Sequence, residues 1–211
     1  MSLPRLLQLA SPALPTGAYS YSQGLEAAVE AGIVADAATA ERWIGDVLEL
    51  AIAMLEAPLL ARMMSQPARI GELNELFLAT RETAELRAET AQMGHSLRLL
   101  LSGLGAPVDE AEECGYPAAF AQAALAWKLD PQDALVAYLW SWLENQVLAA
   151  VKVVPLGQTD GQRILSALAA RLPAIAQSAV ARSEDEWCNF APGLALLSAR
   201  HETQYSRLFR S

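Results

Sequence analysis

Apolar residues recur along most of this chain at intervals of three and four, the spacing that lines one face of an α-helix. Trp43, Ile44, Val47, Leu50, Met54 and Leu55 keep that spacing over a long stretch, and Leu73, Leu76 and Phe77 over a shorter one. The pattern predicts helices over 3–9, 21–31, from Asp36 or Thr39 to about Gln66, then 70–79, 83–102 and 116–127. A longer helix opens at Asp130, another runs from Thr159 to about Arg182, and a last one covers 194–202. No stretch alternates as a strand would, and no repeat is visible. The expected fold is all-α: one non-repeat domain over 1–211 with roughly eight to ten helices.

Local signals set the boundaries. Asp130 is placed as an N-cap with Pro131 in the first turn. Ser20 with Gln23, Thr159 with Gln162, and Ser183 with Glu186 read as capping boxes. Pro58 falls inside the long second pattern and predicts a kink near Met54–Glu56, and Pro67 ends it. Gly32, the Gly103–Glu113 loop, Pro155-Leu156-Gly157 and Pro192-Gly193 interrupt the chain elsewhere. The run Arg81, Glu82, Glu85, Arg87, Glu89 reads as a solvated face. The helix after Asp130 carries Leu135, Leu139, Trp142, Leu143, Val147 and Val151, apolar nearly all round. It is expected at the centre, where Glu144, Asn145 and Gln146 would need partners.

One stretch departs from helical pattern. Ser11–Glu26 holds Pro12 and Pro15, a Gly17 suited to a positive-φ turn, the cluster Tyr19-Ser20-Tyr21-Ser22, and Gly24. The C-terminal segment Arg200–Ser211 also stands out: three arginines against one glutamate, on an otherwise acidic chain, interleaved with Tyr205, Leu208 and Phe209. Arginine alternating with aromatic anchors is the composition of an interface hot spot that orders on binding.

Composition narrows the function classes. The chain is 53% hydrophobic and 18% charged, with a mean hydropathy of +0.20, which points to apolar surface given to a partner or to self-association. No run of about 18 residues stays apolar without a charge, and the best candidate, Ala134–Leu143, stops at Glu144, so no transmembrane helix is expected. Met1–Leu9 lacks a leader's apolar stretch, so a cytoplasmic protein is expected. A net charge of −9 and a pI near 4.7 argue against nucleic acid.

Catalytic and metal signatures are weak. His95, His201, Cys114 and Cys188 show none of the short spacings of a metal site. Gly157–Arg163 lacks the Gly-Lys-Ser/Thr ending of a phosphate loop. The Tyr19–Ser22 hydroxyls sit in no Gly-x-Ser-x-Gly elbow. An all-α enzyme or ligand-binding domain using that cluster stays open as the second reading.

Three stretches together resemble the urease accessory protein family UreF: Leu7–Glu26, Val154–Gln162 and His201–Ser211, in the family's order and spacing. Lys152 stands where that family commonly has arginine, and Phe120-Ala121 where it has Phe-Gly. The resemblance implies an all-α accessory protein without catalytic residues, cofactor or metal ligands of its own. It implies a homodimer that binds UreD (UreH in some species). That complex recruits the nickel-carrying GTPase UreG to apo-urease and regulates its GTP hydrolysis. Partner contacts are expected at Tyr19, Ser20 and Tyr21, and at Tyr205, Arg207, Leu208, Phe209 and Arg210. Pro15, Gly17, Gly24, Pro155, Gly157, Thr159 and Gln162 would shape the turns and caps.

Overall fold

The computed structural model describes residues 3–108 and 113–211; within the expected Gly103–Glu113 loop, residues 109–112 lie outside the described residues. The helices are α1 (Leu3–Ala10), α2 (Leu25–Glu30), α3 (Ala37–Val47), α4 (Ala57–Ser65), α5 (Ile70–Ala79) and α6 (Ala84–Gly103). They continue with α7 (Tyr116–Ala126), α8 (Pro131–Val153), α9 (Gln158–Ala169), α10 (Leu172–Ala181) and α11 (Pro192–His201). Counting α3–α4 and α9–α10 as single interrupted rods gives nine helices, and no strand occurs among the described residues. The all-α expectation holds.

The central element is α8, against which α1, α2, α4, α9 and α10 pack. Its start is a local matter. The Asp130 carboxylate accepts the Gln132 and Asp133 N–H groups at 3.0 and 3.1 Å, and Pro131 has no N–H to satisfy. Asp130→Ala is expected to cost about 1 kcal/mol. Thermal denaturation should then fall by about 2–4 °C for a chain of this size. Of the three polar residues flagged in α8, Glu144 accepts from Trp140 Nε1 at 3.1 Å and Asn145 donates to the Tyr21 carbonyl at 3.1 Å. The buried Gln146 amide nitrogen has no partner.

Pro58 does disturb its helix, in a form the sequence did not show. The nine residues Leu48–Glu56 wind as a π-helix between α3 and α4, and Ala57 N–H closes on the Ile52 carbonyl five residues back. The wider turn shifts the phase of the rod, so Ala51, Ile52, Leu55 and Glu56 all become buried. Pro173 sits in the first turn of α10, and the expected single helix to Arg182 breaks at Ala170–Arg171, where the ring cannot continue it. Gln158–Ala181 is long and apolar enough by composition to cross a membrane, yet this break divides it.

Aromatic rings fill the interior where α7 meets α8. Tyr116 stacks on Tyr138 with centroids 5.6 Å apart, and Phe120 meets Tyr138 edge-on at 5.0 Å. Alanines 118, 119, 121, 123 and 124 of α7 are buried and bring it close to its neighbours.

Two capping boxes are corrected and two caps are confirmed. Asp36 and Thr39 form one reciprocal box, and Ser183 and Glu186 form another around the short turn Glu184–Glu186. Thr159 and Gln162 do not cap α9: Gly157 is its N-cap, which puts Thr159 already inside the first turn. Ser20 and Gln23 do not open a helix at Tyr21 either. Gln23 and Gly24 are both left-handed, at φ 52° and 79°, which delays α2 to Leu25. The charged run is the largest correction: Glu89 is 4% exposed and Arg81 points inward, because the π-turn brings a carboxylate, Glu56, to meet Arg81 at 3.5 Å.

Candidate functional site

The N-terminal motif forms a ribbon before it forms a helix. Gly17, at φ 81°, turns the chain into a single 3₁₀ turn, Ala18–Ser20, a conformation a side chain would strain. Tyr21 is extended, and Ser22 Oγ accepts the Glu26 N–H at 3.3 Å as α2 begins. The tail arrives from the other end of the sequence. After α11, Thr203 and Gln204 N–H groups close back on Arg200 and His201, and the chain then runs beside residues 20–22. Arg210 N–H donates to the Ser20 carbonyl at 2.9 Å, and Ser22 N–H to the Ser211 carbonyl at 3.0 Å. The Ser22 hydroxyl donates to the same Ser211 carbonyl at 2.6 Å.

A charged clamp holds this ribbon from one side. The Glu26 carboxylate accepts the Leu208 and Phe209 N–H groups at 2.6 and 3.0 Å. His201, fully buried, presents Nδ1 to Glu85 at 2.6 Å and Nε2 to Glu26 at 3.2 Å. Arg207 reaches the other Glu85 oxygen at 2.5 Å. On the opposite side the Phe209 ring is buried with the Lys152 ammonium 5.4 Å from its centre. Lys152 also donates to the Tyr19 carbonyl at 3.4 Å, so the end of α8 meets both motifs.

Beneath the ribbon lies a cavity of about 80 Å³ whose walls include Tyr19, Gln23, Glu56, Arg81, Glu89 and Trp142. Gln23 bridges across it, accepting from Trp142 Nε1 at 2.7 Å and donating to Glu89 at 2.7 Å. Its left-handed backbone is held by these two contacts. Ser211 Oγ donates to the other Glu89 oxygen at 2.6 Å. Burial pushes the Glu89 carboxyl up to about 7, against the hydrogen bonds from Ser211 and Gln23 that lower it. Glu56 accepts the Tyr138 hydroxyl and pairs with Arg81. Burial, then the Glu56 charge, raises the Tyr138 phenol, and burial raises Tyr116. The Tyr21 phenol is raised by burial and then by Glu89, while Arg210 hydrogen-bonds it.

The two motifs singled out by sequence thus make one surface. Tyr19, Tyr205 and Leu208 turn outward; Tyr21 and Phe209 are buried within the chain. Ser20 lies half-buried, and Arg207 and Arg210 are exposed at their edges. Pro15 is exposed before the Gly17 turn, and Pro155 and Gly157 form the bend between α8 and α9. The Ser22 hydroxyl is occupied by structural hydrogen bonds at both of its roles. His95 is exposed on α6, His201 lies in the clamp, Cys114 is buried and Cys188 exposed. Among the described residues no group of three or more His, Cys, Asp or Glu side chains is placed to hold a metal.

Glu56, Arg81, Glu85, Glu89, Gln23 and Trp142 were not among the sequence candidates. Glu56 did carry a signal, a lone acid inside the apolar run Leu50–Leu60. Glu89 carried none, since its neighbours in sequence are charged as well.

A family model described as UreF matches residues 34–169. A curated protein named urease accessory protein UreF from Azoarcus sp. (strain BH72) is 56% identical, over 100% of this chain and 96% of its own length. Others of that name come from Dechloromonas aromatica (strain RCB), at 50% identity over 100% of this chain and 98% of theirs, and Methylobacillus flagellatus, at 49% over the same shares. The family model leaves out the N-terminal ribbon and the tail; these relatives span both.

Proposed function

This chain belongs to the UreF family of urease accessory proteins, and from that premise we propose that it is a non-catalytic adaptor for nickel insertion into apo-urease. In this reading it works in the cytoplasm as a homodimer. It binds UreD, or UreH, through the joined ribbon and tail, and the complex recruits UreG and regulates its GTP hydrolysis. Nickel travels as cargo of UreG.

The observation that carries the reading is the state of the tail. The backbone of Leu208–Ser211 is held by Ser20, Ser22 and Glu26, while Tyr205 and Leu208 project into solvent beside arginines. A segment ordered before binding avoids the entropy of ordering upon it. Exposed aromatic and arginine side chains on a rigid ribbon are the usual anchors of a protein interface. The contact set therefore narrows to Tyr19, Tyr205, Arg207, Leu208 and Arg210, while Tyr21 and Phe209 shape the ribbon from within.

The double variant Tyr205→Ala, Leu208→Ala tests this. Neither side chain is buried, so helicity by far-UV circular dichroism should not change. Loss of one interface anchor costs about 2 kcal/mol or more, so affinity for UreD/UreH should fall at least about 30-fold. Co-purification at wild-type level would refute the assignment of the tail as the contact.

A further inference from the structure

We propose that the C-terminal tail is a proton-gated latch: Ser206–Ser211 docks over the Glu89 carboxyl while that group carries a proton, and loosens when it ionises.

The geometry gives the tail direct access to this buried acid. Glu89 sits on α6 with one oxygen on Gln23 of the ribbon and the other on Ser211 of the tail, at 2.7 and 2.6 Å. A serine hydroxyl can rotate from donor to acceptor, so the Ser211 contact survives protonation of Glu89. The other charged and titratable groups facing it are Glu56 from the π-turn, Arg81 from the α5–α6 turn, and Tyr21 from the ribbon. Tyr116 and Tyr138 of α7 and α8 share the same cavity wall, and Arg210 hydrogen-bonds the Tyr21 phenol. Arg81 is bonded to Glu56 at 3.5 Å, so ionised Glu89 adds a second carboxylate to a chamber with one guanidinium. With the tail docked, Ser211 and Phe209 are buried and Glu89 is left 4% exposed. Lifting the tail hydrates it.

The docked form therefore holds the Glu89 proton more tightly than the lifted form. Docked, burial pushes the carboxyl up to about 7, and lifting the tail moves it back towards the ordinary glutamate value of 4.5. Linkage then fixes the sign. The Glu89 contribution to docking is complete below pH 4.5, is lost progressively as pH rises towards 7, and stays lost above it. His201, Glu26, Glu85 and Arg207 of the clamp also face the tail, so the pH response of Glu89 must be read by difference.

Hydrogen exchange on the full chain, by NMR, measures docking directly. The Leu208, Phe209 and Arg210 amides donate to Glu26 and to the Ser20 carbonyl, and exchange only when the tail lifts. Their protection, corrected for intrinsic rates, should fall by up to about 25-fold between roughly pH 5.5 and pH 8. In Glu89→Gln, which stays neutral, most of that fall should vanish. A wild-type profile flat with pH, or an equally steep fall in Glu89→Gln, overturns the latch. Should Glu89→Gln lose the protection of α8 and so fail to fold, Ser211→Ala replaces it. That variant deletes a bond favouring ionised Glu89, so its fall over the same interval should be larger; an unchanged profile overturns the proposal.

Discussion

Gly94→Ala is expected to lower the melting temperature by roughly 10 °C, because Gly94 has the closest approach to a would-be Cβ of any glycine here. A Cβ at Gly94 would stand 2.0 Å from the Cys114 carbonyl oxygen and 2.8 Å from the Gly115 carbonyl carbon. Both are backbone atoms, so no side-chain rotation relieves the clash. The backbone there is also tethered. Asn74 Nδ2 donates to the Glu113 carbonyl at 2.9 Å, and Gly115 N–H donates to Asn74 Oδ1 at 2.8 Å. Tyr116 N–H donates to Thr90 Oγ1 at 2.9 Å. Moving residues 113–116 away from α6 would give up those bonds as well as the packing of α7. Together these put the loss at about 4 kcal/mol, at the upper end for overpacking. Gly71→Ala is the paired control, because Gly71 is helical and its Cβ would meet nothing within 4 Å. It should gain up to about 1 kcal/mol from helix propensity alone. Thermal denaturation of the two variants should move in opposite directions. Equal melting temperatures would show that α6 and α7 do not approach as described.

Arg81→Met should destabilise by about 3–5 kcal/mol, the usual cost of leaving a buried carboxylate without its cation. The Glu56 carboxylate would keep only the Tyr138 hydroxyl. Arg81 also lies over the Phe77 ring, 4.2 Å from its centre, so a methionine of similar length preserves some of that packing. The loss is therefore chiefly electrostatic. Adding Glu56→Gln removes the stranded charge and should recover part of the stability. The two substitutions should be non-additive by about 1 kcal/mol or more in urea denaturation. Strictly additive losses would mean that Glu56 and Arg81 do not act as a pair.

Both variants fall at residues that sequence reading passed over, and the reasons differ. Gly94 lies in the middle of a long helix, where a glycine only weakens the helix unless something approaches it. That something is Cys114, twenty residues further along and on another element. Arg81 and Glu89 lie in a run of charges whose ordinary place is the surface. Only the π-turn, which points Glu56 inward, and the ribbon and tail, which cover Glu89, give them an interior to occupy. Ser20 with Gln23 and Thr159 with Gln162 matched a capping pattern without making the cap. The pattern holds only where the backbone enters a helix at that residue, and here left-handed residues or a proline-led bend moved the entry.

Residues within about four positions of each other settled what the sequence could determine by itself. Those were the helical class, the Asp130–Pro131 start, a cap at Asp36 or Thr39, the box at Ser183–Glu186, and the existence of an irregular ribbon and a basic aromatic tail. The hydrogen bonds that set a helix end are made within one turn, so the sequence carries them whole. Tertiary structure alone decided that ribbon and tail are one surface, through a bond from Ser22 to Ser211 spanning 189 residues. It also decided which carboxylates are buried and which aromatic rings remain outside. Burial of a charge depends on the partner and the cover it finds across the fold, and no local pattern encodes either.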